Sequence, residues 1–262
     1  MSKMKVAVVS HDIAWRDIEE NVITVADLLN RVDRDCDIVV LPELFTTGNI
    51  LSKEDVTDLA EDENGIAIVN VQRWSQFFGF AICGTFLAKD NGKFYNRAFF
   101  AEPFGDITYY DKRHIRSNKE PIIVGLDSGI DLSPIIRFRG WNISIQTGSD
   151  IMYPIWCRAT AINSDVIINP SSWQDDEANK NKHLMIARAI ENQVYFIGAN
   201  RIGVDNYFKY NSPSLIIDYK GMDISYQLDS KKITYAILEK EPLLNYRKSH
   251  DYQINADKFK LL

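Results

Sequence analysis

Short apolar runs rich in β-branched residues alternate along this chain with longer stretches whose apolar positions recur at helical spacing. Residues 6–10 carry Val6-Ala7-Val8-Val9 and predict a strand, because β-branched side chains pack well on a pleated surface. Residues 18–30 set Val22, Ile23, Val25, Ala26, Leu28 and Leu29 among polar neighbours, the period of an amphipathic helix. Residues 37–41 predict a buried strand ending at Pro42-Glu43, followed by a helix over 68–78 and a strand over 80–86. Asp90-Asn91-Gly92 is a turn signal into a strand over 94–101, and Glu102-Pro103-Phe104-Gly105-Asp106 turns the chain into 107–111, a series of β-hairpins. In the second half, strands over 135–138, 143–146, 166–169, 195–199 and 214–219 are interleaved with helices over 153–161 and 177–193. Parallel βα units mixed with hairpins predict an α/β fold of mixed sheets covered by helices. No linker, repeat or low-complexity segment divides the chain, so a single domain over 1–262 is expected. From Pro242 the sequence turns polar and aromatic, with Tyr246, Tyr252 and Phe259, and 242–262 reads as a C-terminal arm packed on a surface.

A length of 262 residues is enough to bury a sizeable core in one large domain. A formal net charge of -6 and a pI near 5.3 leave no basic footprint for nucleic acid or an anionic membrane, so neither is an expected partner. No run approaches the roughly 18 apolar residues of a membrane span, and the apolar start is too short for a signal-peptide core. Cys36, Cys83 and Cys157 are an odd number without pairing or metal spacing, which predicts a cytoplasmic protein with reduced thiols. His114 and His183 lack partners at metal-ligand spacing, and no metal or other cofactor is expected.

Three positions carry candidate chemistry. Glu43 follows a buried strand, and the carboxyl ends of strands are where open α/β sheets place their sites; a surface glutamate or helix cap is the plainer alternative. Lys112, in Tyr109-Tyr110-Asp111-Lys112-Arg113-His114, ends another strand, where a lysine taken alone is a solvated charge. Gly148 lies at a turn between a strand and a helix starting near Asp150. A nucleophile on such an elbow is lifted to the top of the sheet beside backbone N–H groups that can hold an oxyanion. Glycine tolerates strained elbow geometry but brings no reactive atom, and an ordinary tight turn would read the same way. Asp150 suits a helix N-cap and Pro154 the first turn. Arg188 and Glu191 are spaced to pair on one helix, Trp173 suits a pocket floor or the core, and Asn179-Lys180-Asn181-Lys182-His183 predicts a solvated helix face.

In order and spacing these segments resemble the nitrilase (carbon–nitrogen hydrolase) superfamily, in its ω-amidase-like branch. The resemblance covers nearly the whole chain. It includes Leu41-Pro42-Glu43-Leu44-Phe45-Thr46-Thr47-Gly48, Tyr110-Asp111-Lys112-Arg113-His114, Arg139-Gly140-Trp141, Asn169-Pro170-Ser171-Ser172-Trp173, Ala187-Arg188-Ala189-Ile190-Glu191-Asn192-Gln193 and Ala199-Asn200-Arg201-Ile202-Gly203. It implies a four-layer α-β-β-α sandwich, two mixed sheets flanked by helices. In that family a glutamate is general base, a cysteine attacks an amide or nitrile carbon, and a lysine stabilises the oxyanion. By resemblance Glu43 is the base, Lys112 the lysine, and Glu120 a second glutamate; Glu120, Ser149 and Trp173 are expected to meet the ligand.

The cysteine position falls on Gly148. The family pattern there is Cys, an aromatic, Asp, any residue, Arg, an aromatic, Pro. Asp150, Tyr153 and Pro154 follow it, while Gly148, Ser149 and Met152 depart, as does Tyr210-Asn211-Ser212-Pro213-Ser214 where relatives carry Gly-Asp-Ser. Ser149, one residue along, swings its hydroxyl away from the elbow and needs a strong base. Cys157 is expected more than about ten Å along the helix, as a small buried hydrophobe. Two functions follow from the resemblance. One is a catalytically silent homologue that binds a small amide or carboxylate. The other is an active amidase that turns over short ω-amides with Glu43-activated water or a substitute nucleophile. Loss of a covalent nucleophile slows turnover by a factor on the order of 10⁴ to 10⁶. Family members dimerise through helices flanking the elbow, so a homodimer or higher homo-oligomer built on 153–161 and 177–193 is implied.

Overall fold

Along each central strand of the computed structural model, which describes residues 2–50, 52–115, 125–227, 232–250, 252 and 256–261, alternate side chains serve two different cores. The first half runs β1 (Lys3–Val9), α1 (Ile18–Leu29), β2 (Ile38–Val40), α2 (Lys53–Leu59), α3 (Ile66–Phe78), β3 (Ala81–Asp90), β4 (Lys93–Ala101) and β5 (Ile107–Asp111). The second half opens with β6 (Ile136–Phe138), β7 (Trp141–Ile145), α4 (Pro154–Ala161), β8 (Val166–Pro170), α5 (Ala178–Asn192) and β9 (Tyr195–Ala199). It closes with β10 (Gly203–Val204), β11 (Lys209–Tyr210), β12 (Leu215–Ile217), β13 (Ile233–Glu239) and α6 (Lys240–Ser249).

Two mixed sheets result. One has the order β13-β1-β2-β3-β4-β5 and the other β12-β9-β8-β7-β6; β10 and β11 form a separate ribbon. In β1, Val6 and Val8 point to the cluster between the sheets, while Ala7 and Val9 point to the cluster under α1 and α3. In β8, Val166 and Ile168 face the other sheet, and Ile167 packs with Met185 and Ala189 of α5. Both faces of each sheet are therefore covered, which is why these strands read as continuous apolar runs. The layers are helix, sheet, sheet, helix, as the resemblance implied.

Local chemistry explains the element ends. The Asp17 side chain accepts from Glu20 N at 3.0 Å and caps α1. Asn91 and Gly92 both have positive φ, the two-residue turn that matches strand twist between β3 and β4. Pro154 opens α4, as expected. The structure adds elements the pattern did not announce, α2, β13 and the β10–β11 ribbon, and trims the strand expected over 214–219 to β12. The segment read as an arm contains α6. Its Leu243 is fully buried in the intersheet cluster, and Arg247 donates to Asp165 Oδ1, Ser164 O and Gln193 O at 3.0, 2.7 and 2.9 Å.

Candidate active site

Glu43 is set just beyond β2, where the chain leaves the sheet at its carboxyl end. Leu41 N still donates to Cys83 O on β3, and Phe45 N to Thr85 O, so the turn holding Glu43 is tied to the neighbouring strand at both ends. Glu43 N reaches across to Ser171 O of the second sheet's loop at 3.2 Å. Lys112 follows β5, and its N–H donates to Asn96 O on β4. The ends of β2 and β5, three places apart in the same sheet, thus bring the carboxylate and the ammonium to one point. Lys112 Nζ donates to Glu43 Oε1 at 2.7 Å, and Asn96 Nδ2 donates to the same oxygen at 2.8 Å. Lys112 is 3% exposed and Glu43 8%. Two buried opposite charges in contact avoid the penalty each would suffer alone.

The elbow follows β7. Gln146 N donates to Ile168 O, the chain turns at Gly148 with φ +47°, and a 3₁₀ turn runs Gly148–Met152 before α4. Asp150 braces it from beneath. Its fully buried carboxylate accepts from Tyr110 Oη at 2.7 Å, His114 N at 2.9 Å and His114 Nδ1 at 2.8 Å. Burial, and then the Asp150 charge, push the Tyr110 phenol well above its ordinary pKa, so it stays a donor. From α5, Arg188 Nε and Nη2 each donate to Ile151 O at 3.1 Å. A Cβ built on Gly148 would lie 2.5 Å from both Glu43 oxygens. The carboxylate occupies the space a side chain at the elbow would need.

Glu43, Lys112, Gly148, Ser149 and Trp173 line one cleft with about 50 Å³ of free space. Glu120 lies outside the described residues. The Ser149 hydroxyl is turned to His114 O, to which it donates at 3.0 Å. Trp173 does both things foreseen for it, lining the cleft and packing with Met185 and Phe196. Arg188 and Glu191 pair at 2.9 Å.

Three expectations are corrected. Asp150 is not the helix N-cap: it sits inside the 3₁₀ turn, and Tyr153 precedes α4. Cys157 is not remote from the elbow, because the chain reverses through the 3₁₀ turn and brings its Sγ within 3.4 Å of Asp150 O and 3.1 Å of Gln146 Oε1. Burial raises its thiol pKa to about 12, so it remains a protonated core residue. The stretch 179–183 is not wholly solvated: Asn179, Lys182 and His183 are exposed, but Asn181 is buried and lines the cleft.

The carbon–nitrogen hydrolase profile matches residues 5–248. The chain belongs to the carbon–nitrogen hydrolase family. Among its relatives, the ω-amidase YafV of Yersinia enterocolitica is 30% identical over 268 aligned positions spanning all of both chains. The 2-oxoglutaramate amidase of Bacillus subtilis is 27% identical and covers 82% of this chain and 83% of its own. A CN-hydrolase superfamily protein of Xanthomonas campestris with an arsenic adduct in its active site superposes over all of both chains with a TM-score of 0.90 at 26% identity. Some residues of the site escaped the sequence reading: Asn49, Gln174, Glu177 and Asn181 line the cleft, and Asn96 holds Glu43. Asn96 lies beside Arg97 before the apolar run of β4, and its burial is what sets it apart. Asn181 lies four residues before buried Met185, on the stripe continued by Arg188, Ala189 and Asn192.

Proposed function

We propose that this carbon–nitrogen hydrolase homologue is catalytically silent and uses its cleft to bind a small amide or carboxylate. The observation that carries the reading is the seating of the Glu43 carboxylate over Gly148, within 2.5 Å of where a Cβ would be, while Lys112 and Asn96 hold it there. Neither Ser149 nor Cys157 replaces the nucleophile: Ser149 Oγ is turned to a carbonyl, and the Cys157 thiol is buried and protonated. The names of the relatives, ω-amidase and 2-oxoglutaramate amidase, support a short ω-amide as the ligand class. By resemblance, Glu120 is a second glutamate of the ligand site. A single domain over 1–262 and a cytoplasmic location are part of the same proposal.

The alternative is slow hydrolysis by water activated on Glu43. Both are tested by incubating the protein at high concentration with glutaramate, succinamate and their α-keto analogues, following ammonia while binding is measured by calorimetry. Binding without ammonia supports the silent reading. Ammonia release that disappears in Glu43→Gln overturns it.

We also infer a homodimer through α4 and α5. Tyr153, Ile155, Ile162 and Ile190 are exposed apolar residues on or beside these helices, the kind of face that partners cover.

A further inference from the structure

Among the described residues, Glu43 Oε2 and Asn181 Nδ2 at the cleft find no hydrogen-bond partner, and they are of opposite kinds. Glu43 Oε1 takes both hydrogen bonds that reach this carboxylate, from Lys112 and Asn96, and Oε2 receives none from the described residues. The same cleft is lined by Asn181 of α5, 3% exposed, whose Nδ2 is buried with no hydrogen-bond partner among the described residues. Buried polar groups in folded proteins are nearly always satisfied, so an unpaired amide on the wall of a cleft points to something that enters the cleft. Burial also explains its place in the helix. Asn181 falls on the same stripe as Met185, Arg188 and Ala189, where an apolar residue would complete the core without leaving an amide unpaired.

We propose that Asn181 is a specificity-determining residue: its amide N–H donates to an oxygen of a ligand whose amide N–H₂ donates to Glu43 Oε2. The proposal rests on the reading of the cleft as a ligand site, and narrows it. The ligand carries a primary amide at one end and a carbonyl or carboxylate oxygen at the other, joined by a short chain to suit about 50 Å³ of free space. A dicarboxylate fits less well, because one of its ends would meet the unpaired oxygen of Glu43 with no proton to share. No bond is made or broken in this event.

The test compares succinamate with propionamide, which has the same amide and chain but lacks the distal carboxylate. Calorimetric titrations of the wild type and Asn181→Leu, with thermal denaturation to check folding, give the four affinities. Succinamate is expected to bind more tightly than propionamide to the wild type. In Asn181→Leu the succinamate affinity should fall about tenfold or more, toward that of propionamide, whose own affinity stays unchanged. Equal weakening of both ligands, or of neither, overturns the assignment while leaving the ligand site in place. If neither compound binds the wild type, the ligand reading of the cleft fails with it. Should the leucine variant not fold, Asn181→Asp gives the same contrast, since its carboxylate repels succinamate and not propionamide; parallel behaviour of the two ligands again refutes the role.

Discussion

His11 stands in the core beneath the loop that carries Glu43, with Nε2 donating to Phe45 O at 3.0 Å and Nδ1 without a partner among the described residues. Burial first, with the nearby Arg201 charge adding to it, lowers its pKa from 6.5 to about 4. The folded protein therefore refuses a proton that the unfolded chain accepts near 6.5, and between these values the unfolded state holds more protons. Stability should fall as pH drops through this window, by about 3 kcal/mol at its lower end. Urea denaturation across the window should show the slope, and His11→Gln should flatten it. Gly148→Ala should destabilise by about 1–2 kcal/mol, since alanine must adopt positive φ and displace the Glu43 carboxylate; thermal denaturation reads this directly. Lys112→Met strips the partner from a buried carboxylate and should remove about 3–5 kcal/mol, while Lys112→Met with Glu43→Leu should regain much of it. The same denaturation series measures both.

At the scale of elements, α6 is fastened at two points: Leu243 is fully buried between the sheets and Arg247 grips three acceptors. Leu243→Ala should lower unfolding free energy by about 2–5 kcal/mol in urea, far more than loss of a loosely laid arm would. The reason this helix escaped the sequence is visible in its residues. Lys240-Glu241-Pro242 opens it and Asn245, Arg247 and Lys248 dominate it, so a single buried leucine carries the packing and no apolar stripe announces it. The strands of the first half were legible because both faces of each are covered and the hairpin turns carry Asn91-Gly92 and Pro103-Phe104-Gly105 as signals. β13 has the same composition, but its partner is β1 at the other end of the chain, and nothing local marks that pairing. Within the site, Glu43, Lys112 and Gly148 stood out through their neighbours in sequence. Asn96 and Asn181 did not, because the one takes its meaning from the Glu43 carboxylate it holds and the other from the cleft it lines.

For the molecule as a whole, the exposed apolar residues of α4 and α5 predict assembly. Analytical ultracentrifugation should find a dimer, and Ile155→Glu should shift it to monomer while the fold, followed by circular dichroism, is retained. The pairing of β1 with β13 has a different consequence. Seven residues of the first strand find their antiparallel partner only in residues 233–239. During synthesis the first sheet must therefore wait with an open edge, backbone donors and acceptors unpaired, until nearly the entire chain has left the ribosome. Nascent chains arrested before residue 233 should be the ones that engage holding chaperones, and release from that dependence should coincide with the emergence of the last strand.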